Sequence, residues 1–124
     1  MSVSPCCPSC RTALQPSQGE GVLVCANCRG TFCEIVALKR LIAQAHQSLA
    51  QGAYQRRPIE LGLPVQYLRC PACNELMLRH NFGDSSGVIV DVCGKHGVWF
   101  DNGELAQALS FCANGQPQAL RTLE

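Results

Sequence analysis

Seven cysteines and one histidine of this chain fall into four close pairs: Cys7-Pro8-Ser9-Cys10, Cys25-Ala26-Asn27-Cys28, Cys70-Pro71-Ala72-Cys73 and Cys93-Gly94-Lys95-His96. A Cys-x-x-Cys pair folds as a tight knuckle that turns both sulfurs toward one point. Two knuckles complete a tetrahedron of thiolate and imidazole donors, the set zinc prefers. Proline after the first cysteine in two of the pairs helps to fix the knuckle backbone. Fourteen residues separate the pairs of the first set and nineteen those of the second, just below and within the usual window for such sites. The spacing predicts two Zn²⁺ ions per chain, one on Cys7, Cys10, Cys25 and Cys28, the other on Cys70, Cys73, Cys93 and His96. Each is a closed set of four ligands with no position for a reacting water, which points to structural ions and away from metal catalysis.

The remaining candidates weigh less. Cys6 offers an alternative first ligand in a C-x₃-C pair, but Cys7-Pro8-Ser9-Cys10 matches Cys70-Pro71-Ala72-Cys73, which favours Cys7. Cys33 and Cys112 fall on the apolar sides of predicted helices and read as small buried hydrophobes. His46 lies mid-helix and His80 in a hairpin, both as ordinary surface or core residues, whereas His96 fills the fourth place of a patterned set. Trp99 and Phe100 are expected to pack over the ribbon or its following helix. A four-cysteine site of this kind also accepts iron.

The elements that carry the ligands repeat. Cys7 to Phe32 and Cys70 to Phe100 share one order: a CPxC pair, an apolar residue (Leu14, Met77), a β-rich run (Val22-Leu23-Val24, Val88-Ile89-Val90), a second ligand pair, then glycine and an aromatic. Each copy leads into helical spacing. After the first, Ile35, Leu38, Leu41, Ile42, Ala45 and Leu49 recur at three- and four-residue intervals. After the second, Leu105, Ala108, Leu109 and Cys112 do so, with Asp101 and Glu104 placed as a capping box and Gly115 and Pro117 as stops. The chain divides into a first zinc ribbon (1–32), an amphipathic helix (33–51), a linker (52–64), a second ribbon (65–101, with Val65 to Arg69 as its leading strand), a C-terminal helix (102–114) and a polar tail (115–124). The fold class is small, metal-stabilised α+β: two zinc ribbons of short antiparallel β-hairpins, each followed by an α-helix.

Composition bounds the function. Four Phe, two Tyr and one Trp cannot furnish two sizeable cores, and modules below about 40 residues usually need a metal or disulfides to fold. Met1 to Cys6 shows neither a basic region nor an apolar stretch of a secretory signal, and the apolar runs fall far short of the ~20 residues that span a bilayer. A soluble, cytoplasmic protein with reduced thiols is expected, where close cysteine pairs mean metal. The formal charge is +1. Seven bound thiolates and two divalent ions together subtract three charges, so the loaded protein carries about −2. That balance disfavours a protein held to nucleic acid mainly through phosphates.

The stretch from Cys70-Pro-Ala-Cys73 through Val90-Asp-Val-Cys93-Gly-Lys-His96-Gly-Val-Trp-Phe-Asp101-Asn-Gly-Glu104-Leu resembles the transcription factor IIB-type zinc-ribbon family of small bacterial proteins. The ending His-Gly-Val-Trp-Phe-Asp-x-Gly-Glu-Leu carries the resemblance, as does the inner Met77-Leu-Arg-His-Asn81-Phe82-Gly83. It covers roughly residues 67–109 and implies zinc on Cys70, Cys73, Cys93 and His96. Residues 7–32 look like a plainer ribbon, since Phe32 is followed by Cys33-Glu34.

Three functions compete on these residues. The favoured one is an adaptor: two rigid ribbons, held apart by a helix and a linker, present surfaces to a partner protein. The 33–51 helix is a candidate interface, against its own ribbons, a second copy in a homo-oligomer, or another protein. The alternative is nucleic-acid binding through Arg11, Arg29, Arg56, Arg57, Arg69, Arg79 and Lys95, with Trp99 or Tyr54 stacking on a base. Catalysis is not expected: the CxxC pairs all have metal partners, and no Ser-His-Asp cue, phosphate loop or acid-base carboxylate pair appears.

Overall fold

The computed structural model describes residues 5–17, 19–47, 67–84 and 86–113. The linker at 52–64 and the tail at 115–124 lie outside these residues, as do the last turn of the helix expected to reach residue 51 and the start of the strand expected from Val65. Chain order is three strands and a helix, twice over: β1 (Gln15–Pro16), β2 (Val22–Val24), β3 (Thr31–Glu34) and α1 (Ile35–Gln47), then β4 (Leu78–Asn81), β5 (Ile89–Cys93), β6 (Gly97–Phe100) and α2 (Glu104–Ala113). The strands are short, and the longest, β5, is rich in β-branched residues, which suit a pleated, half-buried surface.

The two ribbons are not held apart. They share one six-stranded antiparallel sheet in the order β1-β2-β3-β6-β5-β4. A three-stranded ribbon ends in an unpaired edge, and here the last strand of each copy satisfies the other. Thr31 pairs Phe100, Phe32 pairs Trp99, Cys33 pairs Val98 and Glu34 pairs Gly97. Phe32 and Trp99, matching residues of the two copies, therefore sit opposite each other at the centre. Pro16, which has no N–H to give, stands on the outer edge strand, where proline is tolerated.

Alternation along the strands makes two cores. On one face Val22, Cys33, Val90, Val92, Val98 and Phe100 meet Ala37, Leu38, Leu41 and Ile42 of α1 and Leu105, Ala108 and Phe111 of α2. Phe82 fills the middle, its ring centroid 6.3 Å from Phe100 and 6.4 Å from Phe111. Among the described residues the apolar stripe of α1 packs through Leu38, Leu41 and Ile42 in the cluster shared with this chain's own sheet and α2, one of the three destinations considered for it. On the opposite face Leu14, Phe32, Met77 and Trp99 pack with the ligand cysteines. Cys33 belongs to β3 rather than to the helix, because α1 follows the strand without a turn residue between them. It is buried all the same, as is Cys112 on α2. Trp99 and Phe100, adjacent in sequence, serve opposite faces.

Asp101 does not use its carboxylate as a helix cap. Its main-chain oxygen accepts from Glu104 N at 2.9 Å, while its Oδ1 accepts from the Trp99 indole Nε1 at 3.2 Å. None of the helices among the described residues is long and apolar enough to cross a membrane.

Two glycines make the central pairing possible. A Cβ on Gly97 would collide with the Cys33 carbonyl oxygen and lie 2.9 Å from Glu34 Cα, both on the partner strand's backbone. A Cβ on Gly30 would meet Trp99 Cη2 at 2.6 Å. Gly97→Ala should therefore lower stability by about 2 kcal/mol or more, as overpacking against backbone does, whereas Gly94→Ala, with nothing within 4 Å, should be near neutral. Thermal melts of the two variants check this, and equal melting points would contradict the packing described.

Candidate metal centres

Three knuckles share one backbone pattern. Cys7 N donates to Thr12 O and Arg11 N to Cys7 O; Cys25 and Cys70 repeat this with Gly30 and Arg29, and with Glu75 and Asn74. Main-chain N–H groups also reach back to the sulfurs: Cys10 N lies 3.2 Å from Cys7 Sγ, Cys28 N 3.5 Å from Cys25 Sγ and Ala72 N 3.3 Å from Cys70 Sγ. The residue after the second ligand turns left-handed, at φ 65° for Arg11, 67° for Arg29 and 65° for Asn74. The fourth knuckle is tighter, with His96 N donating to Cys93 O at 3.2 Å, and its chain returns at Gly97.

The sheet brings these knuckles together in pairs. The donor atoms of Cys7, Cys10, Cys25 and Cys28 lie within 4.8 Å of one another, and so do those of Cys70, Cys73, Cys93 and His96. Every candidate ligand named from the spacing is in its expected group. Cys6 is exposed and joins neither group, because it lies on the rung before the knuckle, bridged to Ala13. His80 lies on β4 and also joins neither, as does the strand residue Cys33.

The separations suit a tetrahedral ion. For Zn–S near 2.3 Å, tetrahedral geometry sets sulfurs about 3.8 Å apart, and sulfur and imidazole nitrogen about 3.5 Å apart. Cys7 Sγ and Cys28 Sγ are 3.7 Å apart, Cys73 Sγ and Cys93 Sγ 3.8 Å, and Cys93 Sγ and His96 Nδ1 3.5 Å. In each group one ligand is half-buried for every buried one, which leaves an ion a route in from the surface.

Ionisation is graded within each group. The Thr12 hydroxyl, with Oγ1 3.2 Å from Cys25 Sγ, is the main cause that draws that thiol down to about 6. Burial pushes Cys28 up to about 12 and Cys70 up to about 11. Burial also raises Cys93, but His96 and main-chain N–H donors outweigh it and hold the thiol at about 7. Cys25 and Cys93 are thus drawn toward ionisation, and an incoming cation would draw the protons from the buried thiols Cys28 and Cys70. Cys33 and Cys112 are pushed by burial to about 12 and remain thiols.

Three polar residues around the centres escaped the spacing analysis. Thr12 supports Cys25, and Asn27 Nδ2 donates to Cys10 Sγ at 3.2 Å; such outer contacts orient ligands. Their only sequence signal is a polar side chain inside or just beyond a knuckle. The third is Asp91, buried on the metal face of the sheet opposite Trp99. Its Oδ1 has no hydrogen-bond partner among the described residues, and burial pushes its carboxyl up to about 6, opposed by Arg79 and assisted by Asp101. The first copy has Leu23 at the corresponding rung, opposite Phe32.

Residues 69–110 match the transcription factor zinc-finger family, the TFIIB-type zinc ribbon. The match spans about a third of the chain and contains the second metal centre whole. No curated protein and no solved structure matches the chain.

Cys6 is the one exposed cysteine. With both centres filled, iodoacetamide should add one group per chain, at Cys6, and many more after chelation. Intact mass spectrometry reads this directly, and labelling of Cys7 or Cys70 in the filled protein would break the ligand assignment. Cys6→Ser should leave the metal content at two ions, whereas Cys7→Ser should lower it.

Proposed function

We propose that the protein is a cytoplasmic, non-enzymatic adaptor in which two structural zinc ions fix one rigid sheet that a partner protein recognises. The observation that carries this reading is the pair of closed four-ligand groups built into a single sheet. Thiolate and imidazole donors at these separations favour zinc, and the family match of the second copy agrees. Four protein ligands leave no coordination position for substrate, which supports structural ions. A partner has a ready surface: the groove between the two CPxC knuckles has a volume of about 470 Å³ and takes Arg11, Pro8 and Cys6 from one copy and Tyr67, Arg69 and Pro71 from the other.

The nucleic-acid alternative has less support. Trp99 is fully buried between the centres and offers no face for a base. Tyr54, Arg56 and Arg57 lie outside the described residues. Tyr67, which is 57% exposed, is the aromatic left for stacking, in a chain whose loaded charge is about −2.

Native mass spectrometry should show two zinc ions per chain. Chelation should unfold the protein, since each structural site contributes on the order of 10 kcal/mol at neutral pH, and full retention of circular dichroism after zinc removal would refute the structural role. Fluorescence anisotropy with single- and double-stranded oligonucleotides at low salt separates the two readings. No binding is expected, and binding that falls steeply as salt rises would replace the adaptor with a nucleic-acid-binding protein.

A further inference from the structure

Resting on the reading of two structural zinc ions, we infer that the two centres fill and empty as a unit, so that zinc switches the whole docking sheet on or off in one step. In a pair of independent ribbons each ion would order only its own ligands. Here the ligands of both centres belong to one buried cluster: Cys7 and Cys25 of the first, and Cys70 and Cys93 of the second, pack with Phe32 and Trp99 between them. Each centre hangs from a strand that pairs across the middle of the sheet. Phe32 lies four residues beyond Cys28 and Trp99 three beyond His96, so disordering either knuckle frees one side of the Phe32–Trp99 rung.

The first copy has little core of its own to fall back on, and the larger core of the second is completed by it. The first contributes strands of two, three and four residues. Its α1 packs on its own β3 and on α2 of the second copy, and its side chains share one buried cluster with residues of β5 and β6. Gly97 lies directly against the Cys33 and Glu34 backbone, so the junction is backbone on backbone and has no slack for one half to order without the other. Losing one ion therefore exposes apolar surface belonging to both copies, and the ion left behind stabilises a half-sheet that lacks its partner edge. The free energy of each binding event includes the shared junction, which the second ion does not have to assemble again. This is positive coupling between the sites.

The test is a substoichiometric zinc titration of the reduced, metal-free full-length chain, followed by native mass spectrometry. Independent, equivalent sites leave about half of the chains with a single ion at half-saturation. The expected result is a population dominated by chains with none and with two, the singly loaded form staying below about a tenth. Fluorescence of the lone tryptophan, Trp99, should track the two-ion species alone. A Cys7→Ser/Cys10→Ser chain should bind zinc or cobalt at Cys70, Cys73, Cys93 and His96 at least about tenfold more weakly than the intact chain does, measured against a chromophoric chelator. Half of the wild-type chains singly loaded at the midpoint would overturn the proposal without any variant. So would undiminished affinity of the second centre in the double variant. Fewer than two ions at saturation would instead overturn the two-zinc reading on which this rests.

Discussion

The rung at which Phe32 faces Trp99 is the constraint on which the rest of the structure depends. Pairing the last strand of one ribbon with the last strand of the other removes two unpaired edges at once and leaves only β1 and β4 outermost. It places both helices on one face, where neither sheet half alone could cover them. It turns all four knuckles to the other face, where the two aromatics fill the space between the centres. A slip of one residue between β3 and β6 would set Phe32 on the face of Val98 and Phe100 and part it from Trp99, so the register and both cores are fixed together.

The two faces of the sheet are built differently. The helix face is a conventional apolar core of aliphatic and phenyl groups. The metal face is thinner in apolar groups and consists largely of ligand cysteines, whose thiolates without an ion would be a liability. Burial drives Cys28 and Cys70 far above the usual thiol range, so an ion that binds them would first displace their protons. The main-chain N–H groups aimed at Cys7, Cys25 and Cys70 then serve thiolates, for which they are better donors than for thiols.

What the sequence discloses depends on how local each cause is. Knuckles are set by three or four neighbouring residues, so which donor atoms gather into each group was legible from spacing. The merger of the ribbons was not, because β3 and β6 are more than sixty residues apart in the chain and nothing in either strand marks its partner. The beginning of α1 was misplaced by two residues for a related reason: no glycine, proline or capping residue separates strand from helix. Asp101 carries the pattern of a cap three residues before Glu104, yet a nearby indole N–H claims its carboxylate.

That last contact accounts for the difference between the copies. A tryptophan at the centre brings an N–H that must be satisfied when it is buried, and it needs room that a neighbouring side chain would occupy. Asp101 supplies the acceptor, and Gly30, across the junction, supplies the room. Phe32 at the matching place has no polar atom to satisfy, so Glu34 is exposed and unconstrained by such a role. The Trp-x-Asp at 99–101, inside the stretch that matches the TFIIB-type zinc ribbon, is therefore what an indole at this junction needs. The first copy stands opposite that indole with the phenyl ring of Phe32, which needs no acceptor.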